Sequence, residues 1–210
     1  MLCARQVKRG VGLLIDTREC TMKKQTMFLF ALILMVAGAM AALAQDDAEV
    51  RKELEVQYKK LAEAHDRKDL KTIAGLKTSD FHAITPDGRV NDVRMMEQYT
   101  KQFVETNQPP FNIRNTIQKL SVSENKLVAV AEVFQEASRQ RDLAGKLRKV
   151  DTSVLQRETW VKTPDGWKLK AVDNVRDQKR FVDGKRVDPN KPYDPNAPPY
   201  KPDETGSKKQ

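Results

Sequence analysis

The sequence has 210 residues, of which 32% are charged and 39% are hydrophobic. This is the composition of a soluble globular protein with one domain and extensions, and it excludes collagen-like, repeat-array and polytopic membrane proteins. The formal charge of +9 would indicate a polyanion partner if the 38 Lys and Arg residues were clustered, but they are spread along the chain among 29 acidic residues.

The N-terminal region predicts export of the protein from the cytoplasm. Two lysines precede an apolar run over residues 27–44, which ends in Ala-Leu-Ala and is followed by the polar Gln45. A charged region, an apolar region and an A-x-A exit in this order are typical of a signal peptide, here residues 22–44. We expect cleavage after Ala44 and a mature chain in the periplasm or the medium, with no stable membrane insertion. An uncleaved anchor is the alternative, because the run is near the lower length limit of a spanning helix.

Residues 1–21 precede this signal, and we interpret them as an upstream extension that reflects a start codon assigned too early. Both cysteines, Cys3 and Cys20, lie there, so the exported chain has no thiol for a disulfide, a metal site or a nucleophile. The two histidines, His65 and His82, lack the spacing of a metal site. The sequence therefore predicts neither a metal nor a cofactor.

Three helices and one strand are predicted in the first half of the domain, which spans residues 45–187. Apolar side chains recur with helical spacing at Val50, Leu54, Tyr58 and Leu61, which marks one face of a first helix. A short second helix runs from its cap, Asp69, to Leu76, and a third covers residues 92–107 before two prolines. Between them, residues 80–85 predict a strand that stops at the Pro-Asp-Gly turn of residues 86–88.

After Pro110 the period of the sequence changes from helical to strand-like. Segments rich in Val, Ile, Thr, Phe and Trp cover residues 111–122, 126–138, 147–162 and 167–176. Short turns separate them, apart from a looser connection over residues 141–146, and Asp183-Gly184 predicts a small hairpin within residues 181–187. Because hairpin connections imply antiparallel pairing, the sequence predicts an α+β fold in which a curved sheet covers the helices and leaves a pocket at its open end.

Residues 188–210 form a Pro-rich segment. Prolines at 189, 192, 195 and 198 are spaced by three, the period of polyproline II, and few apolar residues accompany them. We therefore expect an extended or disordered tail. It serves as a spacer or as a docking strip that uses Tyr193 and Tyr200, or it is a solvated tail without a partner.

Three segments together resemble a known family. They are Lys68-Asp69-Leu70 before the short helix, residues 80–90 with their Pro-Asp-Gly turn, and the Trp-containing hairpin of residues 159–169. In this order and spacing they resemble the nuclear transport factor 2-like superfamily, in particular its SnoaL-like, ketosteroid-isomerase-like branch, over residues 48–178. The resemblance implies a cone-like curved antiparallel sheet wrapped around N-terminal helices, an internal pocket and a homodimer. The superfamily includes isomerases, dehydratases, cyclases, ligand binders and catalytically silent scaffolds, so the fold alone indicates no activity.

The resemblance also bears on the candidate catalytic residues. The general base of the steroid isomerases is an Asp just before the Pro that ends the first strand, and that position is Thr85 here. A threonine takes no proton at neutral pH, which argues against a steroid isomerase. The oxyanion-stabilising acid of the penultimate strand falls near Glu158, and the first-helix Tyr of the family is matched by Tyr58.

Strand alternation places Gln156, Glu158 and Trp160 on one face of the penultimate predicted strand. If this face points inward, these side chains contribute to a ligand pocket, and the other predicted lining residues are Tyr58, Phe81, Thr85 and Phe103. Alternatively, Glu158 and its neighbour Arg157 are exposed or cross-strand paired charges.

These observations favour an exported module that binds a small hydrophobic molecule or a protein partner and has no obvious catalytic activity. The alternative is a lyase or isomerase acting on a hydrophobic small molecule, with Glu158 as acid or base and Tyr58 assisting. A third interpretation is a structural envelope protein that docks through residues 189–202. Nucleic acid is not an expected partner, because Lys and Arg alternate with Asp and Glu.

Overall fold

The computed structural model describes residues 47–198, 200 and 201. They belong to one compact unit that begins at Asp46. The predicted signal peptide over residues 22–44, its cleavage site and the extension over residues 1–21 lie outside the described residues. No helix among the described residues is long and apolar enough to span a membrane.

Three helices occupy the predicted positions. Helix α1 covers residues 47–66, α2 spans Leu70–Gly75 and α3 spans Val93–Thr106. The carboxylate of Asp69 accepts a hydrogen bond from Thr72 N at the start of α2, and that of Asp92 accepts one from Met95 N at the start of α3. Each carboxylate thus satisfies a backbone N–H that has no partner within the first helical turn.

Eight strands form one sheet. In chain order they are β1 (Lys77–Ile84), β2 (Val90–Asp92), β3 (Asn107–Gln108), β4 (Arg114–Val122), β5 (Val128–Leu143), β6 (Lys146–Thr163), β7 (Gly166–Val182) and β8 (Lys185–Val187). The main path through the sheet is β2-β1-β7-β6-β5-β3, with β4 also paired to β5 and β8 to β7. Every predicted strand is present, and the small hairpin turns at Asp183-Gly184 as expected.

The α+β class and the curved sheet of the prediction are confirmed, but one strand pair differs from it. All hairpin-connected strands are antiparallel, whereas β1 pairs with β7 in parallel. The prediction of antiparallel pairing came from short connections, and no short connection joins β1 to β7. The sheet is therefore mixed.

The connection between β5 and β6 is tighter than the predicted loop over residues 141–146. Leu143 pairs directly with Lys146, and only Ala144 and Gly145 lie between them. Both have positive φ angles, 54° and 74°, as in the turns that match the twist of two-residue hairpins. β5 and β6 therefore stay paired up to this turn, and we call the paired strands the long ribbon. Near the turn, charged side chains take the place of the alternating apolar side chains.

The main core lies between α1 and the sheet. Val50, Leu54 and Tyr58 of α1 pack against Phe81 of β1 and Trp160 of β6 in one buried cluster. This cluster confirms the apolar face predicted for α1. Tyr58 and Trp160 belong both to this cluster and to the polar group described below, so the packing of the core positions that group.

The described part of the C-terminal segment contacts the domain. Arg180 of β7 donates hydrogen bonds from Nη2 to the carbonyl oxygens of Asp188 (2.7 Å) and Lys191 (2.6 Å). The ring of Tyr193 lies 5.4 Å from the guanidinium carbon of Arg148, and that of Tyr200 lies at 5.5 Å from Arg186. Arginines of β6, β7 and β8 thus contact the described part of the segment. The residues beyond 201 lie outside the described part.

Candidate functional site

Three hydrogen-bond donors converge on the carboxylate of Glu158. Tyr58 donates its hydroxyl to Oε2 (2.7 Å), Trp160 donates its indole N–H to the same oxygen (3.0 Å), and the amide of Gln156 donates to Oε1 (2.8 Å). The Tyr58 and Trp160 rings also meet edge to face, with centroids 5.3 Å apart. Tyr58, Gln156 and Trp160, which were predicted to share a site with Glu158, therefore all contact its carboxylate.

The local sequence explains how this polar centre is assembled. Gln156, Glu158 and Trp160 are two residues apart on β6, so strand alternation puts them on one face, and α1 brings Tyr58 to that face. On the neighbouring strand β5, Ala131 pairs with Glu158 and Ala129 pairs with Trp160. These alanines are fully buried, and their small side chains leave space for a carboxylate and an indole between the sheet and the helix.

Arg157, on the opposite face of β6, behaves differently. Its guanidinium forms an ion pair across the strands with Asp173 of β7, including a 3.0 Å bond from Nη2 to Oδ2. The alternative of a cross-strand paired charge therefore describes Arg157 and not Glu158.

Burial controls the protonation of this centre. Glu158 is only 3% exposed, Tyr58 5% and Trp160 1%. Loss of hydration raises the pKa of Glu158 above its ordinary value, although the three donated hydrogen bonds favour the ionised form and oppose the shift. Burial, followed by the adjacent charge of Glu158, likewise raises the pKa of Tyr58. The pair can hold a proton, but a reacting molecule reaches it only if the core opens.

A second glutamate that binds an indole lies nearer the surface. Glu53 of α1 accepts hydrogen bonds from the indole of Trp167 (2.6 Å) and the ammonium of Lys162 (2.8 Å), both in the β6–β7 hairpin. Those hydrogen bonds lower the pKa of Glu53. The two carboxylates join α1 to the sheet with similar donors, yet their pKa values shift in opposite directions, because loss of hydration outweighs the hydrogen bonds only at the fully buried Glu158.

The remaining predicted lining residues lie in other places. Phe81 belongs to the core cluster beside Tyr58 and Trp160. Thr85 lies in the turn between β1 and β2, where its hydroxyl bonds to Asp87 and to the carbonyl oxygen of Arg89. Phe103 packs in a separate aromatic group, 5.2 Å from Phe111 and 5.9 Å from His65 between ring centroids. Thr85 and Phe103 are thus engaged with groups outside the Glu158 centre.

A cleft of about 460 Å³ lies between α2, the first residue of β1 and α3. Leu70, Ile73 and Ala74 of α2 form its apolar wall. The polar side is lined by Lys77 from β1 and by Arg94, Glu97, Gln98, Thr100 and Lys101 from α3. None of the seven predicted lining residues contributes to this cleft.

Sequence reasoning missed the cleft because its residues come from three elements. Helical spacing explains Leu70 and Ile73 only as one side of a short helix, and it gives no reason to place the cationic residues of α3 beside them. The one available signal was Lys77, a lysine placed between Leu76 and a strand that enters the core. Its ammonium lies 5.0 Å from the centroid of the Phe81 ring.

Among the described residues, no group of three His, Cys, Asp or Glu side chains is arranged to hold a metal ion. The ring of His65 donates from Nδ1 to the carbonyl oxygen of Leu61 (2.8 Å), and burial lowers its pKa. His65 thus packs between its own helix and the rings of Phe103 and Phe111.

Comparison with known proteins identifies the fold. No protein-family model matches the sequence, and no curated protein matches it. A crystal structure of a conserved protein from Planctomyces limnophilus matches with a TM-score of 0.51 and 14% identity, over 61% of this chain and 98% of that chain.

Two further solved structures are similar at lower scores. One is a putative dehydratase from the NTF2-like family from Streptomyces avermitilis, with a TM-score of 0.46 and 16% identity over 60% of this chain and 95% of that chain. The other is an NTF2-like superfamily protein from Salmonella enterica, with a TM-score of 0.45 and 15% identity over 61% and 91%. At these identities the likeness concerns architecture and not activity. The described domain has the α+β fold that the sequence predicted, and the similarity to the Planctomyces limnophilus protein concerns that fold alone.

Proposed function

We propose that the domain binds a small amphipathic molecule, with an apolar body and an anionic group, in the cleft between α2, β1 and α3. The observation that carries this proposal is the composition of the cleft, which has an apolar wall on α2 and faces cations on β1 and α3. Its volume of about 460 Å³ falls within the range of about 300–1,000 Å³ usual for small-molecule sites.

The charges of the cleft favour an anionic group on the ligand. Lys77, Arg94 and Lys101 line it together with a single carboxylate, Glu97. Lys101 also lies 3.9 Å from Glu105, at a distance that gives only a weak surface ion pair. The cleft therefore retains a positive excess close to an apolar wall.

Lys77 is the cation best placed to bind that group. It is half-buried, and burial lowers its pKa, while the charge of Glu97 opposes the shift. In the described part of the chain its ammonium forms no ion pair within 4 Å. A ligand carboxylate beside it would compensate the lost hydration and raise its pKa again.

The catalytic alternative has one observation in its favour, the raised pKa of Glu158. Against it, both carboxylate oxygens already accept hydrogen bonds from Tyr58, Gln156 and Trp160, and Glu158 does not line the cleft between α2, β1 and α3. A general acid must reach the group that it protonates. We therefore assign Glu158 a structural role and place ligand binding in the cleft.

The test is binding of a fluorescent medium-chain carboxylate and of its uncharged methyl ester to the mature chain. The carboxylate is expected to bind more tightly than the ester. Lys77→Gln is expected to weaken binding of the carboxylate by about tenfold and to leave binding of the ester almost unchanged. Lys71→Gln is the matched control, because Lys71 is an exposed lysine of α2 that does not line the cleft. Equal affinity of the wild type and Lys77→Gln for the carboxylate would refute the proposal.

We further propose that the domain acts as a homodimer outside the cytoplasm. The support is the signal-like sequence over residues 22–44 and the resemblance of residues 48–178 to a superfamily that commonly dimerises. Native mass spectrometry of the protein from its own exported fraction tests both points, and it also reveals a retained small molecule.

A further inference from the structure

Three arginines line a second cavity, of about 290 Å³, near the turn of the long β5–β6 ribbon. Arg139 and Arg141 come from β5, and Arg180 comes from β7. Pro192 and Tyr193 of the C-terminal segment also line it, so the segment supplies part of the wall. No residue is shared with the cleft between α2 and α3.

Two of the three guanidinium groups of this cavity have neutral acceptors in place of carboxylates. Arg139 donates from Nε to the amide oxygen of Asn107 and from Nη1 to the hydroxyl of Thr152, both at 3.0 Å. Arg180 donates from Nη2 to two backbone carbonyl oxygens, and its buried Nε has no hydrogen-bond partner among the described residues. A buried N–H without an acceptor costs free energy that a bound oxyanion can recover.

Charge repulsion acts within the cluster. Burial lowers the pKa of Arg139 to about 10, and the charges of Arg141 and Arg180 act in the same direction, whereas Asp151 opposes them. Burial also lowers the pKa of Arg180, Arg141 adds to that shift, and Asp188 opposes it. An anion placed among these groups would relieve their repulsion.

The two nearby carboxylates do not neutralise the cluster, because each has a second cation. Asp151 lies 3.3 Å from the ammonium of Lys149, and Asp188 lies 3.5 Å from that of Lys191. Counted together, the three arginines and these two ion pairs comprise five cations and two carboxylates.

We infer that this cavity binds a phosphate group carried by a small molecule. Guanidinium groups bind oxyanions through paired N–H donors, and arginines from two strands can contact several oxygens of one tetrahedral anion. A phosphate monoester also brings close to two negative charges at neutral pH, which matches the excess better than a single carboxylate does. This inference is independent of the proposed amphipathic ligand and adds a second site.

The test compares anions at equal ionic strength by isothermal titration calorimetry on the mature chain. Inorganic phosphate and phenyl phosphate are expected to bind, and acetate and chloride to bind at least tenfold more weakly. Binding by both phosphates assigns the site to the phosphate group, and binding by phenyl phosphate alone assigns it to an organic monoester. Equal binding of acetate or chloride would overturn the inference.

Arg141→Gln is the variant of choice, because no hydrogen bond or ion pair within the described part of the chain depends on the Arg141 side chain, so its loss should not unfold the protein. It is expected to weaken phosphate binding by about tenfold or more. Arg89→Gln is the matched control, since Arg89 carries the same charge, forms a surface pair with Asp87 (2.8 Å) and lines neither this cavity nor the cleft. Equal weakening by the two variants, or no weakening by Arg141→Gln, would contradict the inference.

A second measurement does not depend on a variant. Addition of phosphate is expected to shift the Nε–H resonances of the cavity arginines in ¹⁵N NMR spectra, that of Arg180 included. Shifts confined to surface arginines such as Arg89 would show general ionic binding and would overturn the assignment.

Discussion

Replacing Glu158 by Gln is expected to change how the stability of the protein depends on pH. In the wild type, burial raises the pKa of Glu158 above the ordinary value of 4.5. At pH values between 4.5 and the higher native pKa, the Glu158 carboxyl group is protonated in the folded protein and ionised in the unfolded chain. The folded state then binds more protons than the unfolded state, so stability from this group falls as pH rises, by up to about 1.4 kcal/mol per pH unit. The loss stops where the native carboxyl ionises.

The Gln variant removes the titration but keeps the contacts. The new amide oxygen can accept from Tyr58 and Trp160, and the amide of Gln156 can rotate to accept from the new NH₂ group. The free energy of unfolding, measured by urea denaturation from pH 4 to pH 8, is therefore expected to fall less steeply with pH in Glu158→Gln than in the wild type. Parallel pH profiles of the two proteins would refute the reasoning.

Glu53→Gln is the matched control, because Glu53 also accepts an indole N–H but has a lowered pKa. Its contribution is present above pH 4.5 and is lost as pH falls through the native pKa, so its difference profile has the opposite sign. Tyr58→Phe provides a second variant if Glu158→Gln fails to fold. Loss of the Tyr58 hydrogen bond removes the largest influence that favours ionised Glu158, so the pH window of falling stability extends upward.

Three further predictions concern stability and processing. Trp160→Ala leaves a cavity in the buried cluster and is expected to cost about 3–5 kcal/mol in urea denaturation; a cost below about 1 kcal/mol would contradict the packing described. Asp69→Ala removes the cap of α2 and is expected to cost about 1 kcal/mol, whereas Asp69→Asn, which keeps an acceptor, should cost clearly less. N-terminal sequencing of the exported protein is expected to begin at Gln45, and an intact segment over residues 22–44 would argue for the anchor.

The polar centre was largely predictable because its members lie on regular elements. Tyr58 follows from the helical spacing of α1, and strand alternation puts Glu158 and Trp160 on one face. The burial of this centre was not predictable. It depends on Ala129 and Ala131 of β5, which lie opposite Trp160 and Glu158 only because of the register between β5 and β6. A one-residue shift of that register would have placed Glu132 on the same face.

The two proposed binding regions were hidden from sequence reasoning for a related reason. In the cleft, Lys77 meets Arg94 through the packing of α2 and α3, which no local period encodes. In the arginine cavity, Arg139 and Arg180 come from strands that the sequence pattern ended too early, because apolar alternation stops before the ribbon does. Sequence periodicity reveals the buried faces of helices and strands. The two proposed binding regions lie beyond the ends of those buried faces.

The parallel pairing of β1 with β7 has a consequence for biosynthesis. The apolar face of α1 is covered by β6 and β7, and β1 itself is held by β7, so the first half of the domain depends on strands synthesised last. Long-range pairing of this kind makes folding slow and late. A chain truncated before Gly166 is accordingly expected to lack a cooperative unfolding transition by circular dichroism. The nascent chain would then stay unfolded until its full length is made, which is the state that the proposed export would require.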